Sequence, residues 1–384
     1  MIRDAFVLPE GQIYLLGHSL GPAPKAALAA VERAASVEWA QGLAASWNDA
    51  HWFTAPERVG GKIGSLIGAP PGSVIVADSV SVNVFKLAAA ALRAAPTDRR
   101  VILIEDETFP TDGYVIEGLA RLASDVQIAR APRDRLFTDI SAQTALILAS
   151  QIDFRTGAAF DIEAQTASAR CAGARVLWDL SHSIGAVALD LSAMGVELAI
   201  GCGYKYLNGG PGAPAFAFVA PHLIDALENP ISGWFGHAAP FAFEPQYRPA
   251  PDARRFAAGT PPILSLTALE AAVDLALTVP PQRAAAHVAT LQAAFLDALA
   301  GALPCLSPAA RGGHLAFAHP EALALKTALI AAGLIGDFRP PDTIRFGFSP
   351  LFLNEPDVVR AAGIVREVLA AEAWRGAAHS GVVT

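Results

Sequence analysis

Short runs of unbroken apolar residues recur along the first 220 positions, and longer helical stretches separate them. This alternation constrains the fold more than any other feature. Residues 73–77 (SVIVA), 100–106 (RVILIED), 144–150 (TALILAS), 175–180 (RVLWDL), 196–203 (VELAIGCG) and 213–220 (APAFAFVA) read as strands. Helical patterns lie between several of them, over 81–95, 111–123 and 162–174. A strand that is apolar at every position needs cover on both faces. Strands of that kind, separated by helices, predict an α/β fold with a mostly parallel sheet.

The pattern changes after about Gly259. Two Ala/Leu-rich helices are expected over 264–278 and 281–302. A strand (313–318), a helix (320–332), a second strand (343–349) and a last helix (355–373) complete a smaller α+β unit. Residues 228–262 are rich in Pro, Gly and aromatics and too apolar for a free linker, so they read as an ordered loop over a site or an interface. No internal repeat is present.

The bulk numbers narrow the function classes. Of 384 residues, 53% are hydrophobic and 17% charged, which suits a buried core rather than long disorder. A net charge of −8 gives no electrostatic reason to expect nucleic acid or an anionic membrane as partner. Cys171, Cys202 and Cys305 form no CxxC pair, so neither a disulfide framework nor a zinc site is expected. The opening MIRDAFVLPEGQ lacks a signal-peptide core, and Gly, Pro or charge interrupts every apolar run before spanning length. The expectation is a soluble cytoplasmic protein.

Two residues carry the chemistry. Asp179 ends the run ARVLWD, and the C-terminal ends of strands are where open α/β sheets bind ligands. A carboxylate there needs a cation or a strong donor; capping the helix start suggested by DLSHS would serve equally. Lys205 follows in GYKYLNGGPG, after another strand and a GCG turn. The glycines let backbone approach a ligand closely, whereas a surface lysine would have no use for them. An aspartate and a lysine on consecutive strand ends suit pyridoxal phosphate (PLP). The lysine forms a Schiff base, and the aspartate keeps the pyridinium nitrogen protonated. DSVSVN (78–83) offers Ser79, Ser81 and a helix N-terminus to a phosphate, or simply a serine cap. Phe109 in TFPTD offers an aromatic face, or core packing.

With those residues in place the chain resembles kynureninase, a fold-type I PLP enzyme. The likeness rests on GYKYLNGGPGAPAF, WDLSHSIGAVALDL, SGWFGHAAPF, FPTD and GTPPILSL, and runs from LPEGQIYLLGHSLGP to IRFGFSPLFL. It implies a seven-stranded, mostly parallel sheet in a large PLP-binding unit, 50–260. It also implies a small unit made of 1–49 and 261–384. Lys205 would carry the cofactor, Asp179 would pair with the ring nitrogen, and His182 would sit near the 3′ oxygen. Phe109 would stack on the ring with Asp112 close by. Ser81, the backbone at Val80, and Tyr204 would hold the phosphate. Trp234 and Thr260 would reach it from a neighbouring subunit, implying a homodimer with shared active sites. Arg345 would clamp the substrate α-carboxylate; on sequence alone it could equally lie in a surface ion pair. The implied reaction is hydrolysis of L-kynurenine to anthranilate and L-alanine, with Tyr204 as proton donor to the departing alanine fragment.

The substrate side departs from the family pattern. G-N-S-L-G is usual where this chain has Gly17-His18-Ser19-Leu20-Gly21, a loop near the substrate in the family. Gln151 stands where a histidine is usual, and His51, near the expected substrate pocket, stands where glycine is. These changes leave open a shifted γ-keto amino-acid substrate. A cysteine desulfurase-type lyase would need a reactive cysteine on a mobile loop, for which only Cys305 is placed. A non-catalytic module of the same fold would have been free to lose Lys205 or Asp179.

Overall fold

The computed structural model describes residues 2–376; residues 377–384 of the expected small unit lie outside the described residues. A short strand, β1 (Ile13–Tyr14), precedes the main sheet. The sheet comprises β2 (Val74–Val76), β3 (Val101–Glu105), β4 (Gln127–Ala131), β5 (Thr144–Ser150), β6 (Arg175–Asp179), β7 (Leu198–Gly201) and β8 (Phe216–Val219). Their order across it is β2-β8-β7-β6-β5-β3-β4. The run from β7 through β6, β5 and β3 to β4 is parallel. Only β8 is antiparallel to its neighbours, β7 and β2. Two reversals leave β2 parallel to β7, so every strand except β8 ends at one edge of the sheet.

Six of these strands match the apolar runs. β4 is the addition: it lies at the sheet edge, pairs only with β3, and leaves Gln127 and Arg130 exposed. An edge strand of that kind carries no continuous apolar signal.

Alternation along each strand builds two cores. Ile75, Ile102, Ile104, Leu146, Leu148 and Leu177 point to one face, against the helix Val80–Ala94. Val76, Leu103, Ile147, Val176, Trp178 and Phe216 point to the other. Each such side chain contributes roughly 1.5–3 kcal/mol when fully buried. The helix Val80–Ala94 begins at Ser79, whose hydroxyl accepts the Val82 N–H, and ends at Ala95, held extended by the following proline. Its buried Ala88, Ala90 and Ala91 let it lie close on the sheet.

The C-terminal part packs the helix Pro281–Leu299 against the helix Glu355–Ala370, which starts on an Asn354/Asp357 capping box. Beside them β9 (His314–Ala318), β10 (Leu334–Ile335), β11 (Asp337–Arg339) and β12 (Thr343–Gly347) follow. β11, β12 and β9 form an antiparallel sheet in that order, and β1 pairs with β10. The loop over 228–262 is ordered in three short 3-10 turns, Trp234–Gly236, Pro240–Ala242 and Ala253–Phe256. Among the described residues no single helix is long and apolar enough to cross a membrane.

Candidate active site

The common edge of the large sheet opens into a cavity of about 210 Å³. Five strand ends contribute to its wall. Ser79, Val80 and Ser81 follow β2, and Phe109, Thr111 and Asp112 follow β3. Ser150 ends β5, Asp179 ends β6 with Ser181 and His182 after it, and Cys202, Tyr204 and Lys205 follow β7. This is where an open α/β sheet has room for a ligand, because connections leave the strand ends in opposite directions.

Lys205 does not extend into solvent. Its Nζ lies 3.0 Å from Nε2 of His182, and the side chain is half-buried. The surrounding turn is held from two sides. The Gly21 N–H donates to the Tyr204 carbonyl at 2.8 Å, and the Gly209 N–H to the Gly203 carbonyl at 2.9 Å. A Cβ on Gly209 would stand 2.7 Å from that same carbonyl, so the turn closes only around glycine. The GHSLG loop is thereby fastened to the lysine turn.

Asp179 is buried, and its Oδ1 accepts the Ser181 N–H at 2.8 Å. It caps a turn rather than a helix, and it still faces the cavity. Asp112 is buried beside it, with Oδ2 lacking any partner. Burial, and then the Asp179 charge, push the Asp112 carboxyl well above the usual range. His182 moves the other way: burial and the neighbouring Lys205 hold it well below the ordinary imidazole value. It is therefore neutral at neutral pH, with Nδ1 unpartnered. Burial, Cys202 and Asp179 raise the Tyr204 phenol, which keeps its proton on the oxygen.

A second cluster lies behind His182. His18 and His314 are fully buried and stacked, with ring centroids 5.0 Å apart and planes at 13°. The His314 ring lies 5.4 Å from that of His182. Burial and then Arg345 push His18 down to about 4. Asp337 stands 3.5 Å from His18 Nε2 and directly across the hairpin from Arg345. Arg345 is buried, donates through Nε and Nη2 to Asp337, and through Nη1 to the Phe154 carbonyl.

The structure thus brings Val80, Ser81, Phe109, Asp112, Asp179, His182, Tyr204 and Lys205 to one cavity. Phe109 is exposed rather than core, edge-on to Phe154 at 5.4 Å. Arg345 is in an ion pair, but a buried one, and it stands outside the cavity wall. His18, Ser19, Gln151, Trp234 and Thr260 are also outside it; Trp234 and Thr260 are exposed. His51 is exposed with φ +55°, and its carbonyl accepts from Arg58. Sequence reasoning missed Thr111, Ser150, Phe154 and His314. Ser150 had a signal, as the polar end of an apolar strand. His314 had only a lone imidazole inside an apolar run.

The aminotransferase class-V family model matches residues 30–321, and the kynureninase C-terminal domain model matches 288–365. A kynureninase of Deinococcus radiodurans is 44% identical over 380 residues, spanning 96% of this chain and 92% of that protein. One of Pseudomonas fluorescens is 42% identical, spanning 97% and 93%. Among solved structures, the C-DES protein with glycine covalently linked to its PLP cofactor superposes with a TM-score of 0.82 at 17% identity. That match covers 95% of this chain and 99% of C-DES. The Escherichia coli cysteine desulfurase CsdA gives 0.79 at 18%, covering 96% and 98%. At such identities these two structures speak for the fold alone.

Proposed function

We propose that this chain, which belongs to the kynureninase family within the class-V aminotransferase fold, is a PLP-dependent hydrolase that cleaves the Cβ–Cγ bond of L-kynurenine or its 3-hydroxy form. Water adds at the Cγ carbonyl as the Cβ–Cγ bond breaks, so the products are L-alanine and anthranilate or 3-hydroxyanthranilate. The observation that carries the reading is the Lys205 amine, 3.0 Å from His182, in one cavity with Asp179 at the ends of adjacent parallel strands.

The residues fit the cofactor. Lys205 offers the amine for attachment and Asp179 the carboxylate for the ring nitrogen. Oδ2 of Asp112 and Nδ1 of His182 are buried and unpartnered, as polar atoms awaiting a ligand would be. The exposed Phe109 ring suits stacking. Ser81, the Val80 backbone and Tyr204 surround the start of the helix Val80–Ala94, where N–H groups suit a phosphate. When bound, PLP supplies an electron sink for the charge left at Cα and Cβ.

The protein's own groups divide the remaining work. The Lys205 amine takes the Cα proton. Asp179 holds a proton on the ring nitrogen. The Tyr204 hydroxyl, kept protonated by its surroundings, gives a proton to the departing three-carbon fragment. Arg345 binds the α-carboxylate once a substrate competes with the Phe154 carbonyl for Nη1.

Exposure of Trp234, Phe241 and Phe243 on the loop over 228–262 supports a homodimer in which Trp234 and Thr260 complete the partner's phosphate site. Pairing of β1 with β10 supports a small unit of 1–49 and 261–384 beside a cofactor unit of 50–260. A cytoplasmic enzyme fits this reading. The 44% and 42% identical kynureninases favour kynurenine itself over a shifted γ-keto substrate, although His18 stands beside the Asp337 partner of Arg345. Cys305 is exposed but lies outside the cavity, and the buried Cys202 turns its thiol to the Ser181 carbonyl, so desulfurase chemistry has no supporting thiol. Anthranilate release from L-kynurenine, with 3-hydroxykynurenine alongside, tests the reaction and the preferred ring.

A further inference from the structure

Lys86 sits at the centre of the helix Val80–Ala94 and is fully buried. A lysine is rarely buried completely, and here the ammonium has two partners, each at 2.6 Å. One is Oδ2 of Asp78. The other is the carbonyl of Phe256. The helix neighbours of Lys86, Val84 and Leu87, together with Phe235, Phe256 and Ala257, belong to one buried apolar cluster. None of the roles assigned above uses this residue.

Both partners occupy telling positions. Asp78 has φ +56°, a left-handed conformation that is uncommon outside glycine and that aspartate tolerates better than most residues. Lys86 holds its carboxylate, and its carbonyl accepts the Ala215 N–H at 2.9 Å. The next residues are Ser79, Val80 and Ser81, which form the phosphate side of the cavity. Phe256 closes the turn Ala253–Phe256, and the chain then runs through Ala258, whose carbonyl accepts the Phe235 N–H, to Thr260. One ammonium therefore ties the turn before the phosphate site to the segment that carries Trp234 and Thr260. It also neutralises an aspartate that would otherwise repel a dianion three residues away.

We propose that Lys86 is a positioning residue: through Asp78 it sets the backbone of the turn 78–81 for a phosphate monoester, and through Phe256 it couples that turn to the Trp234–Thr260 segment. The inference rests on the PLP reading of the cavity.

The test is anion binding by cofactor-free enzyme. Inorganic phosphate is titrated by calorimetry, and pyridoxal, which lacks the phosphate, is titrated separately by its absorbance. Wild-type protein is the reference. Lys86→Met should weaken phosphate by more than about tenfold, about 1.4 kcal/mol, and leave pyridoxal within about twofold. Lys86→Met alone leaves the half-buried Asp78 carboxylate without its ion-pair partner and risks misfolding, so the charge-free pair Lys86→Met with Asp78→Asn is made as well. The pair should still lose about tenfold in phosphate affinity, because the turn is no longer held. A folded double variant that binds phosphate as wild type overturns the inference, as does an equal loss of phosphate and pyridoxal. A wild-type protein that binds neither PLP nor phosphate overturns the cofactor reading itself, and this inference with it.

Discussion

Tyr204 and Lys205 are adjacent in sequence but face different neighbours. Lys205 faces His182, whereas the Tyr204 ring lies beneath the amine with its centroid 5.8 Å from Nζ. The raised phenol makes Tyr204 an acid rather than a phenolate. Tyr204→Phe should lower kcat by roughly 10²–10⁴ while the enzyme still retains PLP through gel filtration. Loss of PLP instead, with kcat preserved in excess cofactor, would leave Tyr204 as a phosphate ligand only. At this scale the sequence spoke clearly about residues with a strand end or a glycine turn beside them. Asp179 had the strand end and Lys205 the glycine turn. Arg345 was legible as a cation, but its Asp337 partner lies across a hairpin whose register no local pattern announces.

The elements around His182 carry a pH response. The GHSLG turn supplies His18, β9 supplies His314 and the turn after β6 supplies His182, all buried. Burial holds all three imidazoles below 6.5, with Arg345 adding to the effect on each and Lys205 on His182 and His314. An unfolded chain takes protons at these positions near pH 6.5, and the folded one does not. Stability should therefore be level above about pH 7 and fall below 6.5. Each imidazole contributes up to about 1.4 kcal/mol per pH unit, and His18 does so until it takes its proton at about 4. Asp112, with its raised value, works in the opposite direction. Urea midpoints at pH 8, 6.5 and 5 check this, and His314→Gln should flatten the acid limb. A wild-type midpoint unchanged between pH 7 and 5 would contradict it. This cluster was not legible beforehand, because it forms only when β9, the GHSLG turn and the turn after β6 converge. The same holds for β4. β5 and β6 were plain because burial on both faces writes itself into every position, whereas β4 has one neighbour and exposed Gln127 and Arg130.

For the whole molecule, the cavity as one chain forms it has no aromatic wall from Trp234. If two copies complete each other, sites must be shared. Lys205→Ala and Trp234→Ala, each inactive or nearly so alone, should recover about a quarter of wild-type activity when co-expressed. Half the dimers are then mixed, and each mixed dimer has one intact site. No recovery in purified mixed dimers would assign each site to a single chain. The claim beneath all of these is that the Lys205 cavity cleaves kynurenine, and anthranilate fluorescence after adding L-kynurenine to PLP-loaded protein tests it most directly. The account predicts a steady rise in fluorescence, matched mole for mole by L-alanine and absent in a folded Lys205→Ala variant. A wild-type enzyme that shifts its absorbance with L-kynurenine and with its 3-hydroxy form yet releases neither anthranilate nor 3-hydroxyanthranilate, or a Lys205→Ala variant that releases product at the wild-type rate, would contradict the account.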